Sequence, residues 1–126
     1  MRNILIDSCG WVAIVDSGIH LDHALNDLVA NFQLQVLDLV VNELDTISEG
    51  RAPHSPLLLE LLYSRAQILE TEDGEGVHTD DQLLNFAQKN GWTVLTVDAE
   101  LKRQLFKSGC PYIEVVGGNR LNLVDY

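Results

Sequence analysis

The chain predicts an α/β fold, a three-layer α/β/α sandwich with a central parallel sheet in a single domain spanning residues 1–126, and three observations predict it. Four aliphatic or β-branched runs, beginning at Asn3, Leu34, Thr93 and Tyr112, are too short for buried helices and read as strands. Segments with helical spacing and helix start or stop signals stand between them, which is the order of strands joined by helical crossovers. The length of 126 residues, with 46% apolar and 21% charged residues, suits one domain with a real core. No internal repeat or interdomain linker interrupts the pattern.

In chain order, NILID at Asn3 to Asp7 is a buried strand that ends in an aspartate, and SCGWVAIVD leads into a short helix around Trp11 to Val15. Leu21, Ala24, Leu25, Leu28, Val29 and Phe32 give the i, i+3, i+4, i+7 stripe of an amphipathic helix reaching Phe32, with His20 and His23 at the surface. Leu34 to Leu39 is a second strand. Val40, Val41, Leu44 and Ile47 then suggest a short helix with Glu43 on its apolar side. A carboxylate there pairs with a cation or serves a metal, because burying it alone is costly.

SEGRAPHS is a loop by composition, and Ser55-Pro56 is a helix start, a hydroxyl cap followed by proline at the first helical position. The following helix, Pro56 to about Ala66, carries leucine on nearly all sides, which implies burial in the domain or against a partner subunit. Gln67 to Thr71 reads as a short strand entering an acidic, solvated loop, Glu70 to Glu75. A helix with Leu83, Leu84 and Ala87 starts at Asp80 and stops at Asn90-Gly91. Thr93 to Val97 is a strand ending at Asp98. Leu101, Leu105 and Phe106 form the next helix, stopped by Gly109, and Tyr112 to Val116 is the last strand, after which LNLVDY closes the chain.

Charge and targeting signals bound the function. Nineteen acidic against eight basic residues give a net charge of −11, which argues against a general electrostatic grip on nucleic acid, although five of the eight cations lie from Lys89 onward. No apolar run approaches the roughly 18 residues that span a bilayer, and the first strand begins almost at Met1, so the expectation is a cytoplasmic protein without membrane contact. Cys9 and Cys110 have no metal-ligand spacing and read as free thiols.

Four carboxylates carry the chemistry. Asp7 and Asp98 stand at strand ends, Glu43 inside a helix and Asp80 at a helix start. A parallel sheet gathers strand carboxyl ends and the starts of the following helices at one edge, so these four can meet. Asp98 alone reads either as a helix cap or as a ligand. Clustered carboxylates repel one another unless a cation neutralises them, and Mg²⁺ or Mn²⁺ prefers such oxygen donors while leaving positions for a phosphate. Metal-assisted phosphodiester hydrolysis follows as the reaction class. Lys102, Arg103 and Lys107 either hold the nucleic-acid backbone or serve as favourable charges at a helix C-terminus. The first strand leads into DSCGW, not a glycine-rich phosphate loop, and no histidine is placed to activate Ser8 or Cys9 as a nucleophile.

LIDS at Leu5 to Ser8, NELDTI with Glu43, TDDQLLNFA with Asp80 and LTVDAELKRQL with Asp98 together resemble the PIN-domain nucleases over nearly the full length of the chain. The tail from TVD through PYI to GGNRLNL looks closer to the branch associated with ribosomal RNA processing and its archaeal relatives than to the toxin branch. The resemblance implies a Mg²⁺- or Mn²⁺-dependent endoribonuclease acting on single-stranded RNA. It implies Asp7, Glu43, Asp80 and Asp98 as catalytic metal ligands, Asp81 as an alternative to Asp80, Ser8 and Thr96 as their supports, and often a homodimer. Two other readings stay open. One is a catalytically weak binding or scaffold module in RNA processing, with a ribosome-assembly partner; the other is the toxin of a toxin-antitoxin pair, with an antitoxin as partner.

Overall fold

The computed structural model describes residues 2–50, 55–70 and 78–125, with side chains for all of these except 46–50 and 55–57. Its elements are β1 (Arg2–Ile6), α1 (Ser8–Ser17), α2 (Leu21–Leu28), β2 (Phe32–Leu37), α3 (Asp38–Gly50) and α4 (Ser55–Arg65). They continue as β3 (Ala66–Leu69), α5 (Thr79–Asn90), β4 (Thr93–Leu95), α6 (Ala99–Lys107), β5 (Tyr112–Val116) and β6 (Arg120–Val124). The strands form one six-stranded sheet in the order β3-β2-β1-β4-β5-β6. All neighbouring pairs are parallel except β5 with β6.

This order reverses beside β1. The chain builds outward from β1 through β2 to β3, then returns to lay β4 on the other side of β1 and continues outward. Right-handed crossovers therefore put α1 to α4 on one face and α5 and α6 on the other. The contacts agree: α1, α3 and α4 pack on one another, and α5 packs on α6. Fully buried Ile4, Leu5, Ile6, Leu37, Val94, Leu95 and Ile113 make the sheet's share of the core, and Trp11, Leu44, Leu62, Leu83, Leu101 and Leu105 fill it from the helices.

The leucine-rich helix divides its side chains. Leu58 and Leu62, one turn apart, are buried in the domain, while Leu59 and Leu61 pack partly against the core and Tyr63 is exposed. His20 and His23 are at the surface, and Cys9 and Cys110 are free. Arg2 spans the sheet, donating to Thr93 Oγ1 and pairing with Asp125, each at 3.1 Å. Among the described residues no helix is long and apolar enough to cross a membrane.

Several expectations are corrected. The segment after Val116 forms β6, an antiparallel edge strand paired with all five residues of β5. Gly117 and Gly118 turn the chain there at φ 60° and 81°, values that side chains resist. Helix α2 ends at Leu28 because Val29 adopts extended backbone (φ −137°, ψ 138°), and Phe32 opens β2 instead of closing the helix. Helix α3 starts at Asp38, two residues before the expected apolar stripe, and runs through Ser48 to Gly50, which had read as loop. Strand β4 stops at Leu95, so Thr96 and Val97 lie beyond the ladder. The rest of the SEGRAPHS loop and most of the acidic loop fall at 51–54 and 71–77, outside the described residues. So do the side chains of Ile47, Ser55 and Pro56.

Candidate active site

The reversal of strand order between β1 and β4 is a topological switch point, where two crossovers leave on opposite faces and open a crevice at the strand carboxyl ends. Asp7 follows β1 and Asp98 lies just beyond β4, so both stand at that crevice. With Ser8, Cys9, Glu43, His78, Thr79 and Asp80 they line an open cleft of about 270 Å³.

Asp7 is only 4% exposed, and its orientation is heavily determined. It caps α1, with Oδ1 accepting the Gly10 N–H at 2.7 Å. Oδ2 accepts the Thr96 hydroxyl and, at 3.2 Å, the Cys9 thiol. Gly10 is required by space: a Cβ there would lie 2.8 Å from Asp7 Oδ1 and 2.9 Å from the Leu95 carbonyl oxygen. Burial holds the Asp7 carboxyl above its usual range, against the hydrogen bonds from Thr96, Cys9 and Gly10, and the charge of Asp80 adds to the rise. The same burial, followed by the Asp7 charge, pushes the Cys9 thiol up to about 11, so Cys9 is a protonated donor here and not a nucleophile.

The other acids are held more loosely. Asp98 caps α6, Oδ1 accepting the Leu101 N–H at 2.9 Å, while its own N–H donates to Thr96 Oγ1 at 3.1 Å. Half-buried Glu43 accepts the Ser8 hydroxyl on Oε2 at 2.9 Å. Asp80, in the first turn of α5, has no side-chain hydrogen bond among the described residues. Its pKa is raised by burial first, then by repulsion from Asp98 and Glu43, with His78 opposing. Asp81 is exposed and does not line the cleft; one residue of helix rotates it about 100° from Asp80.

Donor chemistry fits a hard divalent cation. The cleft presents carboxylates with no lysine or arginine among its described lining residues, and burial together with the charges of Asp98 and Glu43 disfavours the charged form of Asp80. Among the described residues no three acid, histidine or cysteine side chains stand in a coordinating arrangement as they are. Asp7 explains part of this, since both of its oxygens already accept hydrogen bonds from the protein.

Two of the three expected backbone-binding cations have acidic partners. Lys102 pairs with Glu114 at 3.4 Å, and Arg103 grips both oxygens of Glu100 at 2.6 and 2.7 Å. Lys107 is exposed in the last turn of α6. A larger cavity, about 390 Å³ between the end of β3 and α5, shares no lining residue with the acid cleft. Its size does not make it the site, because among the described residues Glu70 is its one carboxylate. Gly10 and the Cys9 thiol escaped the sequence reading as supports of Asp7. Their signal was the cap itself, which brings the third residue after an N-terminal Asp onto its carboxylate.

Comparisons with known proteins agree with this architecture. A family model described as a PIN like domain matches residues 4–117. Among solved structures 21 chains match. One, the structure of the PIN domain endonuclease Utp24, superposes with a TM-score of 0.80 at 22% identity, covering 98% of this chain and 93% of that one. No curated protein sequence matches.

Proposed function

The chain belongs to the PIN-like domain family, and from that premise we propose that it is an endoribonuclease that hydrolyses phosphodiester bonds of single-stranded RNA with Mg²⁺ or Mn²⁺ held by Asp7, Glu43, Asp80 and Asp98. The observation that carries this reading is the convergence of four carboxylates, just after β1, within α3, at the start of α5 and just beyond β4, on one cleft with no lysine or arginine among its described lining residues. When bound, the metal polarises a phosphate and activates water. Ser8 then keeps Glu43 turned into the cleft, and Thr96 and Gly10 hold Asp7 with its lone pairs directed. The exposed pair of Arg103 with Glu100 is of little worth to the fold, so a phosphate can take the place of Glu100, and the half-buried Lys102 reaches the same face through Glu114.

Likeness to the ribosomal-RNA-processing branch makes precursor RNA the substrate to try first, in a cytoplasmic homodimer, with an assembly factor or an antitoxin as possible company. The test is cleavage of a labelled single-stranded RNA by wild type and Asp98→Asn, each with Mn²⁺, Mg²⁺ or EDTA. Metal-dependent cleavage by wild type alone supports the proposal. Equal cleavage by both proteins, or cleavage in EDTA, overturns it. The complete hydrogen bonding of Asp7 favours a second reading, a scaffold module with weak metal affinity. Calorimetric Mn²⁺ binding with a micromolar constant would remove it.

A further inference from the structure

Beyond the acid cleft and α6, the carboxyl edge of the sheet carries a further cation, Arg120 at the start of β6. Strand β5 runs parallel to β4, with Val94 opposite Tyr112 and Leu95 opposite Ile113. Val116, three residues beyond Ile113, ends β5 at the edge of the sheet where Asp98 follows β4, and Val116 pairs with Arg120 on β6. Asp98 and Arg120 thus stand at the same edge of the sheet, with β5 between them. At about 4.8 Å per strand, β6 lies roughly 10 Å from β4 across the sheet.

Side-chain direction is settled by the ladder. Glu114 receives Lys102 of α6 and the Asn122 amide, so Glu114 and Asn122 are on the α6 face of the sheet. Two residues further along each strand, Val116 and Arg120 are on that face as well. Arg120 is exposed and has no hydrogen bond or ion pair among the described residues, whereas Lys102 and Arg103 each have an acidic partner. Its guanidinium lies along the hairpin turn, where a Cβ at Gly117 would be 3.8 Å from Nη2 and 3.9 Å from Nε.

We propose that Arg120 is a phosphate-binding residue that holds the RNA backbone beside the cleft, gripping a phosphate next to the one at the acids. This rests on the nuclease reading for the identity of the strand it holds. A guanidinium matches two phosphate oxygens at once, and an unpaired one loses no ion pair when phosphate arrives. Arg120 and Lys102, on the same face of the sheet, would then flank the path of the strand past Asp98.

Binding of a fluorescent single-stranded oligoribonucleotide tests it, measured by anisotropy in EDTA so that no cleavage intervenes, for wild type, Arg120→Gln and Arg120→Lys. Arg120→Gln should bind roughly five- to tenfold more weakly at low salt, with a log–log salt slope shallower by about 0.7, the share of one phosphate contact on a single strand. Arg120→Lys should recover the slope. With Mn²⁺, the loss in Arg120→Gln should fall on KM more than on kcat. Equal affinity and slope in wild type and Arg120→Gln would overturn the assignment, as would a wild type that binds no RNA. Arg120-dependent binding by a protein that cleaves nothing with metal would keep this site and reject the nuclease. Cleavage that is indifferent to Arg120 would do the reverse.

Discussion

The hydroxyl of Thr96 is donated to Oδ2 of Asp7 across 89 positions of sequence, and Thr96 Oγ1 itself accepts the N–H of Asp98. One side chain beyond the end of β4 therefore ties the two strand-end acids together. Thr96 is fully buried, so the bond cannot be exchanged for water. Thr96→Val keeps the shape and removes the link. It should cost about 1–3 kcal/mol in urea unfolding, because Asp7 loses a partner in a desolvated place. Mn²⁺ affinity measured by calorimetry should fall roughly tenfold or more. Thr96→Ser should recover most of both.

Asp7 and Asp80 share a sign of pH dependence. Both carboxyls have folded-state pKa values above their ordinary range, Asp7 through burial and Asp80 through burial with repulsion from Asp98 and Glu43. A raised acid contributes stability below its unfolded-state pKa and loses it as pH rises through the folded value. In EDTA the protein should therefore lose stability from these two groups as pH climbs out of the ordinary carboxylate range. Asp7→Asn should remove the share of this pH dependence that Asp7 contributes, while lowering stability by about 1–3 kcal/mol, because an amide nitrogen cannot accept the hydrogens of Thr96 and Cys9 as Oδ2 does. Scanning calorimetry across pH would expose an opposite trend.

Gly10→Ala tests the crowding around Asp7. The added Cβ would meet the Asp7 carboxylate at 2.8 Å and the Leu95 carbonyl oxygen at 2.9 Å, and the latter is backbone that cannot swing aside. A loss of about 1–3 kcal/mol in chemical unfolding is expected, although alanine is the better helix former. Cleavage should fall more than the unfolded fraction explains, since Asp7 is the group displaced.

Arg103 and Glu100 are both exposed, so their ion pair is a surface interaction open to salt. Glu100→Gln should leave the melting temperature unchanged and strengthen binding of single-stranded RNA, because it frees the guanidinium. Weaker RNA binding by this variant would exclude Arg103 from the path of the strand.

The sheet was legible because its inner strands are continuous buried runs, and burial on both faces writes itself into residue type. The reading missed β6, since RLNLV is only partly buried and its alternating pattern is short. Gly117-Gly118 was the available signal for a hairpin. The acids were legible from position, each at a strand end or on a helix face. Their supports were less so: the Ser8 to Glu43 bond spans 35 positions, a distance over which residue type says nothing of pairing. Charge showed where cations lie but not what holds them. Glu100 and Arg103, three apart on a helix, formed the one such pair that spacing could foretell.

The four acids follow β1, lie in α3 and α5, and follow β4, and no stretch shorter than Asp7 to Asp98 contains them all. Timing follows from that spread. A chain emerging from the ribosome can pair β1 with β2 early, yet the crevice has only one wall until β4 docks on the open side of β1. Contacts so distant in sequence form late, because the loop between them must be closed first. Any activity housed in this cleft is thereby withheld from nascent and truncated chains, and completion of the fold is its safety catch.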